Sequence, residues 1–437
     1  MTVPLTISAP SSKSLSHRAL IAASLARGES SLSRVLASQD LKRTMDCLQT
    51  LGAGINEKQG DVKVTGIDWF AGKRDDTLEL DVGESGTTCR LITPLCALGR
   101  TPCRVFGRGR MHSRPLDELA EALIQQGSSF EWLGREGCPP FVLKPGGLRG
   151  GEVEISLEQS SQYLSGLLLA APLAERELII RVGGSKSVSW PYVALTLEVM
   201  DRFGAEFEVQ VRKQGRWNTV PRTGIRELRP GRVRFRVQPS GYRPGEYSVE
   251  GDWSNASYFL AAGALLADGI KVRNLNPDSI QGDSRIQGIL KQMGARIQWD
   301  EKGLSVYPGQ LQGAELDMGS CPDLVPTVAV LASLARGETR ISNVAHLRLK
   351  ESDRLQALAA QITKTGSKVR LLEDGLLISP GADLNREPEE FETYGDHRIA
   401  MSLSLYGLAG VLVRLDDPGC VAKSFPGFWQ EWEKVKP

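Results

Sequence analysis

The sequence is poor in the residues that most often announce a function. It has four histidines, His17, His112, His346 and His397, which stand far apart, and seven cysteines without a single CxxC pair. That spacing offers neither a zinc comb nor a disulfide framework, and it suits a reducing cytoplasm. Cys89, Cys96 and Cys103, spaced by seven, read as helical or apolar packing. There is no H-x3-H and no Gly-x4-Gly-Lys, and GRGRMHS from Gly107 departs from G-x-G-x-x-G at His112. Neither a metal, a nucleoside triphosphate nor a nicotinamide cofactor is expected. An excess of charge of one sign is also missing. Lys and Arg number 53 against 52 Asp and Glu, which removes the basic field that drives nucleic-acid binding. No apolar run approaches the ~18 residues of a membrane span. The short apolar stretch Ala19–Ala26 follows a strand-like, Pro-containing start and reads as a core helix rather than a targeting signal. Nucleic acid and membrane are therefore not expected partners.

What the chain does have is repetition. Its 437 residues allow two or three domains at roughly 150 residues each. One unit recurs six times: a helix of small and branched apolar residues, a Gly or acidic turn, then a β-rich run. HRALIAASLARGESSLSRV from His17 is the first copy, and others begin at Thr88, Tyr163, Ser257, Val325 and Arg398. Between copies lies a second, amphipathic helix that stops at a glycine: Gly52, Gly127, Gly204, Gly294 and Gly366. The interval from Gly204 to Gly294 is the longest. It holds Arg212–Gly245, rich in Arg, Pro and Gly, expected to form a hairpin or loop and then a crossing segment. Three copies lie on each side, so the chain reads as two similar domains of three α/β units. The first helix of each unit is apolar around its circumference and should be buried. Met1–Pro10 reads as a strand that can pair with either domain.

The residues before the buried helices are SSKSLSHR, GESGTTCR, EQSSQYLS, EGDWSNAS, SCPDLVPT and YGDHR. A helix start presents free N–H groups and about half a positive charge, which suits an anion. Any one of these starts alone is ordinary N-capping by Ser, Thr or Asp. Six together suggest anion sites facing a common gap. Lys13, Arg18, Arg90 and Arg398 lie at these starts, where a cation opposes the dipole; a bound anion accounts for that. Arg114 in MHSRPL, Arg348, Lys350 and Arg354 in HLRLKESDR, and Lys423 in VAKSFPGF add further cations. Each taken singly is a solvated surface charge. Glu351 and Arg354 share a helix face, as a surface salt bridge or as a proton-handling carboxylate among cations. Asp323 in CPDLVP is read as a helix cap, placed beside an anion site to accept a hydroxyl proton.

Taken in order, SKSLSHRAL, SSQYLS, GDWSNASYFLAAGAL, KESDRL, YGDHRIAM and AKSFPGF resemble the enolpyruvyl transferase family along nearly the whole chain, in the form that acts on shikimate 3-phosphate. The resemblance implies an α/β (α+β) fold of two similar domains, each of three βαβαββ repeats with buried parallel helices, an inside-out α/β barrel. It implies domains at 11–248, on the shikimate 3-phosphate side, and at 1–10 plus 249–437, on the phosphoenolpyruvate side, with the active site in the cleft between them. The implied reaction moves the enolpyruvyl group of phosphoenolpyruvate to the 5-hydroxyl of shikimate 3-phosphate, through a tetrahedral intermediate and without a cofactor. A cytoplasmic monomer follows if the cleft is made within one chain. By the same resemblance Ser14 and Arg18 hold the shikimate carboxylate, and Ser160, Ser161 and Ser189 hold the 3-phosphate. Gln162 and Tyr192 contact the ring and its phosphate, Asp323 and Lys350 meet the hydroxyls, and Lys13 and His346 stand beside them. Lys13, Gly86, Arg114, Gln162, Arg354, His397, Arg398 and Lys423 take phosphoenolpyruvate, and Asp323, Glu351 and Lys13 share the proton chemistry.

There are departures. GESGTTCRL keeps the glycine and arginine of the family's usual run but carries Glu84, Ser85, Thr88, Cys89 and Leu91 around them, in the region that glyphosate meets in relatives. His346 stands where relatives commonly have asparagine. Family members that use UDP-N-acetylglucosamine instead have Lys-Asn where this chain has Lys13-Ser14, and a loop cysteine where GRGRMHSRP has none. A non-catalytic anion-binding relative would be expected to lose Asp323, Glu351 or Lys423, all of which are present. An RNA-end-modifying relative needs a basic surface and a nucleotide-attaching histidine, which His397 alone does not supply.

Overall fold

The structure, a computed structural model, describes residues 4–68, 76–222, 227–381 and 389–435. Of the segments singled out in the sequence, residues 1–3 and 223–226 lie outside the described residues. The chain divides into two compact units, Lys13–Val249 and Met1–Ser12 with Glu250–Pro437.

The first unit holds helices α1 (Lys13–Leu25), α2 (Gln39–Leu51), α3 (Gly86–Leu98), α4 (Asp117–Gln125), α5 (Gln162–Ala170) and α6 (Trp190–Arg202). The second holds α7 (Trp253–Leu265), α8 (Ile286–Gln292), α9 (Val325–Leu334), α10 (Arg354–Lys364), α11 (His397–Leu403) and α12 (Phe428–Glu433). Odd-numbered helices are the repeated apolar ones, and their burial runs unbroken around the axis. It is continuous from Leu15 to Leu25 in α1, from Trp253 to Ala264 in α7 and over all of α11. Helices without a polar face have no side to give to water, so each unit is built around its own three. Longer even-numbered helices bury one stripe, as α2 does with Leu41, Thr44, Met45 and Leu48. The expected stops are in place: Gly52, Gly127, Gly204, Gly294 and Gly366 all have φ between 74° and 115°, the left-handed conformation that ends a helix.

The sheets repeat one plan. In Leu78–Gly83, Cys103–Gly107, Ser129–Trp132 and Phe141–Lys144 the first two strands are parallel, joined through α3, and the last returns antiparallel between its neighbours. The strand order first-second-fourth-third holds in the four four-stranded sheets, with Glu246–Ser248 standing first in its own; a fifth sheet adds one strand to this plan, and the sixth copy has only the parallel pair Glu389–Phe391 and Val413–Leu415 among the described residues. In both units the first strand comes from a distant part of the sequence. Glu246–Ser248 pairs with Glu29–Ser33, and the N-terminal strand Leu5–Ser8 pairs with Ile270–Arg273 in the register Leu5 to Ile270. Arg212–Gly245, expected as a hairpin or loop and then a crossing segment, contributes three strands among its described residues. Phe207–Lys213 and Arg216–Val220 form a hairpin, and Val233–Val237 inserts beside it to extend a five-stranded sheet. Trp217 on that edge lies under the guanidiniums of Arg234 and Arg212.

Candidate functional site

Polar residues gather in two clusters, one in each unit. In the first unit, α1 opens with Lys13, whose Nζ donates to Asp40 on α2 at 2.9 Å. Arg18, 2 % exposed, lies just over a turn further on. Its Nε donates to Thr196 Oγ1 at 2.8 Å, Nη1 to the carbonyl of Ser14 at 2.8 Å, and Nη2 to the carbonyl of Tyr192 at 3.0 Å. Every acceptor is neutral, and burial draws this guanidinium down to about 10, with Tyr192 and Tyr247 opposing. A buried cation without a carboxylate is costly unless something anionic arrives.

The start of α3 is built around a contact that only glycine permits. A Cβ on Gly86 would lie 2.4 Å from Cζ of Arg114, so the guanidinium rests directly on the helix backbone. Arg90 holds the adjoining chain: Nη1 donates to Gln162 Oε1 at 3.1 Å and Nη2 to the Pro115 carbonyl at 3.0 Å, where the Tyr163 hydroxyl also donates at 2.8 Å. Gln162 in turn donates to Thr87 Oγ1. Ser160 and Ser161 are buried at the start of α5, and Ser160 Oγ accepts from Gln162 N–H. Ser189, just before α6, has φ 60° and ψ 41°, a left-handed conformation that a serine adopts at a cost of about 1–2 kcal/mol. Strain of this kind concentrates where a ligand is held.

In the second unit Arg354, at the start of α10 and 2 % exposed, binds three carboxylates. Its Nη1 donates to Asp323 at 3.0 Å, Nη2 to Glu351 at 2.8 Å and Nε to Asp396 at 2.8 Å. Burial opposes the charge, but Asp396, Glu351 and Asp323 together raise the guanidinium above its ordinary range. Arg398 donates to the other oxygen of Asp323 at 2.8 Å and to Ser254 Oγ. Lys423 Nζ donates to the Gly395 carbonyl at 2.9 Å, next to buried His397. His346 and Lys350 sit on and just after the short 3₁₀ turn Ala345–Leu349, His346 buried.

This cluster corrects two expectations. Asp323 is not the N-cap residue: it lies within the turn Pro322–Leu324, and its carboxylate binds Arg354 and Arg398. The cations at helix starts do not all wait for an anion, because Lys13 and Arg398 already have protein carboxylates. Glu351 and Arg354 do pair three residues apart, but Glu351 lies in the bend before α10 rather than on a shared helix face, and the guanidinium is enclosed rather than on the surface. Sequence reading passed over Asp396 as a site residue. It is fully enclosed, caps α11 through Arg398 N–H, and holds Ser352 as well as Arg354. The aspartate of YGDHR was its only signal. Asp40 and Ser254 were missed for the same reason, since their partners are distant in sequence.

Asp323 and Glu351 keep 18 % and 17 % of their side chains exposed, enough to meet a substrate while remaining in charge contact with arginine. A carboxylate so placed can accept and return a proton. All seven cysteines are buried and unpaired, and burial pushes the Cys47, Cys321 and Cys420 thiols up to about 12, so these three offer no thiolate near neutral pH.

The chain is similar to known proteins along nearly its whole length. The sequence profile of EPSP synthase (3-phosphoshikimate 1-carboxyvinyltransferase) matches residues 2–432. The 3-phosphoshikimate 1-carboxyvinyltransferases of Actinobacillus pleuropneumoniae serotype 3 and Syntrophobacter fumaroxidans are 38 % and 39 % identical over 438 residues, covering 98 % of this chain and 96 % of each relative. An EPSP synthase structure from Acinetobacter baumannii superposes with a TM-score of 0.74 at 24 % identity, covering 99 % of this chain and 95 % of that one, and speaks for the fold. With the profile spanning nearly every residue and relatives of this identity along its whole length, the chain belongs to the EPSP synthase family.

Proposed function

We propose that the chain transfers the 1-carboxyvinyl group of phosphoenolpyruvate to the 5-hydroxyl of shikimate 3-phosphate and releases phosphate, a step toward chorismate and the aromatic amino acids. The observation that carries the reading is the pair of part-exposed carboxylates, Asp323 and Glu351, bound to the enclosed Arg354. In the addition, the 5-oxygen bonds to C2 of phosphoenolpyruvate while its proton leaves to Asp323 and C3 gains a proton from Glu351. In the elimination, C3 returns a proton to Glu351, the C2–O bond to phosphate breaks as the proton held by Asp323 passes to the departing phosphate, and the double bond reforms. Lys13 stabilises charge on the departing phosphate and shares the proton traffic. The balance closes with the two substrates alone.

Ser14 and Arg18 hold the shikimate carboxylate; Ser160, Ser161 and Ser189 hold the 3-phosphate; Gln162, Tyr192, His346 and Lys350 line the ring and hydroxyls. Gly86, Arg114, Arg354, Arg398 and Lys423 hold phosphoenolpyruvate with Lys13, Gln162 and His397. A dense set of cations matches two multiply charged anions, more strongly where water is excluded. We take the working form to be a cytoplasmic monomer. Among the described residues no helix is long and apolar enough to cross a membrane.

Phosphate release from phosphoenolpyruvate in the presence of shikimate 3-phosphate tests the reading. Release that requires shikimate 3-phosphate is expected. Release with UDP-N-acetylglucosamine instead, or with neither acceptor, overturns it.

A further inference from the structure

Four buried side chains form an unbroken line of hydrogen bonds beneath the starts of α1 and α3, and none belongs to the binding set above. His17 Nδ1 lies 2.7 Å from Thr44 Oγ1, and Thr44 Oγ1 lies 2.8 Å from Thr88 Oγ1. Thr88 Oγ1 lies 2.8 Å from Ser85 Oγ and 3.2 Å from the main-chain oxygen of Asp40. His17, Thr44 and Thr88 have no exposed surface and Ser85 has 2 %. The line joins α1, α2 and α3, and it touches both ends of the anion machinery. Asp40 is the carboxylate that holds Lys13, and Ser85 is the cap immediately before Gly86.

Proton bookkeeping gives the line a direction. A hydroxyl has one proton, and a main-chain oxygen only accepts. The Thr88 proton is drawn to the Asp40 carbonyl and Ser85 Oγ, so Thr44 must give its proton to Thr88. His17 must then give Nδ1–H to Thr44. The opposite order takes the Thr88 proton away from the Asp40 carbonyl and puts an N–H on Nε2, which has no partner among the described residues. Burial first, then the charges of Lys13 and Arg18, keep this imidazole neutral well below its ordinary range. A neutral ring has one donor nitrogen and one acceptor nitrogen.

We propose that His17 is a positioning residue for the phosphoenolpyruvate site: its Nδ1–H orients Thr44 and Thr88 so that Ser85 accepts from Thr88 and keeps its own proton for an anion oxygen at Gly86. Ser85 Oγ already accepts the Thr88 main-chain N–H at 3.1 Å, so with Thr88 O–H added both lone pairs are engaged. What Ser85 has left to offer is a donor. The same line fixes the Asp40 backbone and so the seat of Lys13. This inference rests on the assignment of Lys13, Gly86 and Arg114 to phosphoenolpyruvate.

Two measurements test it. Nitrogen-15 spectra of the intact protein with labelled histidine, assigned with H17N, are expected to show His17 as the neutral Nδ1–H tautomer. An Nε2–H tautomer or a charged ring at neutral pH overturns the proposal, whatever the enzyme turns over and whether or not other variants fold. In kinetics, Thr44→Val removes the relay at constant shape. It is expected to raise KM for phosphoenolpyruvate about tenfold, the order of one hydrogen bond to a charged group, with kcat and the KM for shikimate 3-phosphate within twofold. His17→Asn, whose amide keeps a donor toward Thr44, is expected to stay within twofold throughout. Equal loss for both substrates, or none for either, overturns it. Failure of the unmodified protein to release phosphate would instead overturn the proposed function and leave the tautomer result standing on its own.

Discussion

Arg18 in one unit and Arg354 in the other are enclosed to the same degree, yet the first guanidinium faces only neutral oxygens and the second faces three carboxylates. The difference separates two tasks. Among the described residues no carboxylate pairs with Arg18, so an arriving anion gains the attraction of a poorly screened interior. Around Arg354 and Arg398 an anion finds cations already engaged, and it must displace a carboxylate or cause one to take up a proton. On the function proposed above, one cluster holds charge and the other exchanges protons.

The strongest way to break this contrast is Asp323→Ala. Turnover is expected to fall about a thousandfold, within the range of a lost general base, while shikimate 3-phosphate binding by calorimetry stays largely intact; normal phosphate release would remove the proton-exchange role. Next comes a paired experiment on the two arginines. Arg354→Leu strands fully enclosed Asp396 and is expected to cost about 3–5 kcal/mol of stability, read from urea unfolding. Arg18→Leu is expected to cost less stability and to abolish most shikimate 3-phosphate affinity. Reversed results would invert the comparison. Gly86→Ala sharpens it further. The new methyl displaces the Arg114 guanidinium, and KM for phosphoenolpyruvate is expected to rise about tenfold or more, as misplacement by an ångström can cost more still.

The smallest effect is acidic. Burial, then Lys13 and Arg18, hold folded His17 neutral well below 6.5, whereas the unfolded chain protonates it near 6.5. The unfolded state therefore binds the additional proton, and this group's share of stability falls as pH drops below 6.5, by about 1.4 kcal/mol per unit. Denaturation midpoints between pH 7 and 5 should fall less steeply in His17→Asn.

Much of the fold was legible because it is local and repeated. The apolar circumference of HRALIAASL and its copies states burial directly, and a glycine after an amphipathic helix states where the turn goes. Site legibility was uneven for the same reason. Glu351 and Arg354 lie three residues apart, so their pairing is local in sequence, although Glu351 stands in the bend before α10 and not on its face. Asp323 meets Arg354 and Arg398 across 31 and 75 residues, and nothing near Asp323 distinguishes that role from capping. Asp396 illustrates the limit. It does cap a helix, as its neighbours suggest, and at the same time it clamps an arginine that only the tertiary fold brings near.

The pairing of Leu5–Ser8 with Ile270–Arg273 has a consequence for biosynthesis. The ribosome releases Leu5–Ser8 long before its partner strand exists, so Lys13–Val249 can consolidate before that strand is paired. Domains generally fold in order of emergence; here a strand made before Lys13–Val249 docks only after Ile270–Arg273 has been made. Trimming it would leave the Ile270–Arg273 edge open, a template for other chains, so an N-terminal truncation should appear first as precipitation during expression.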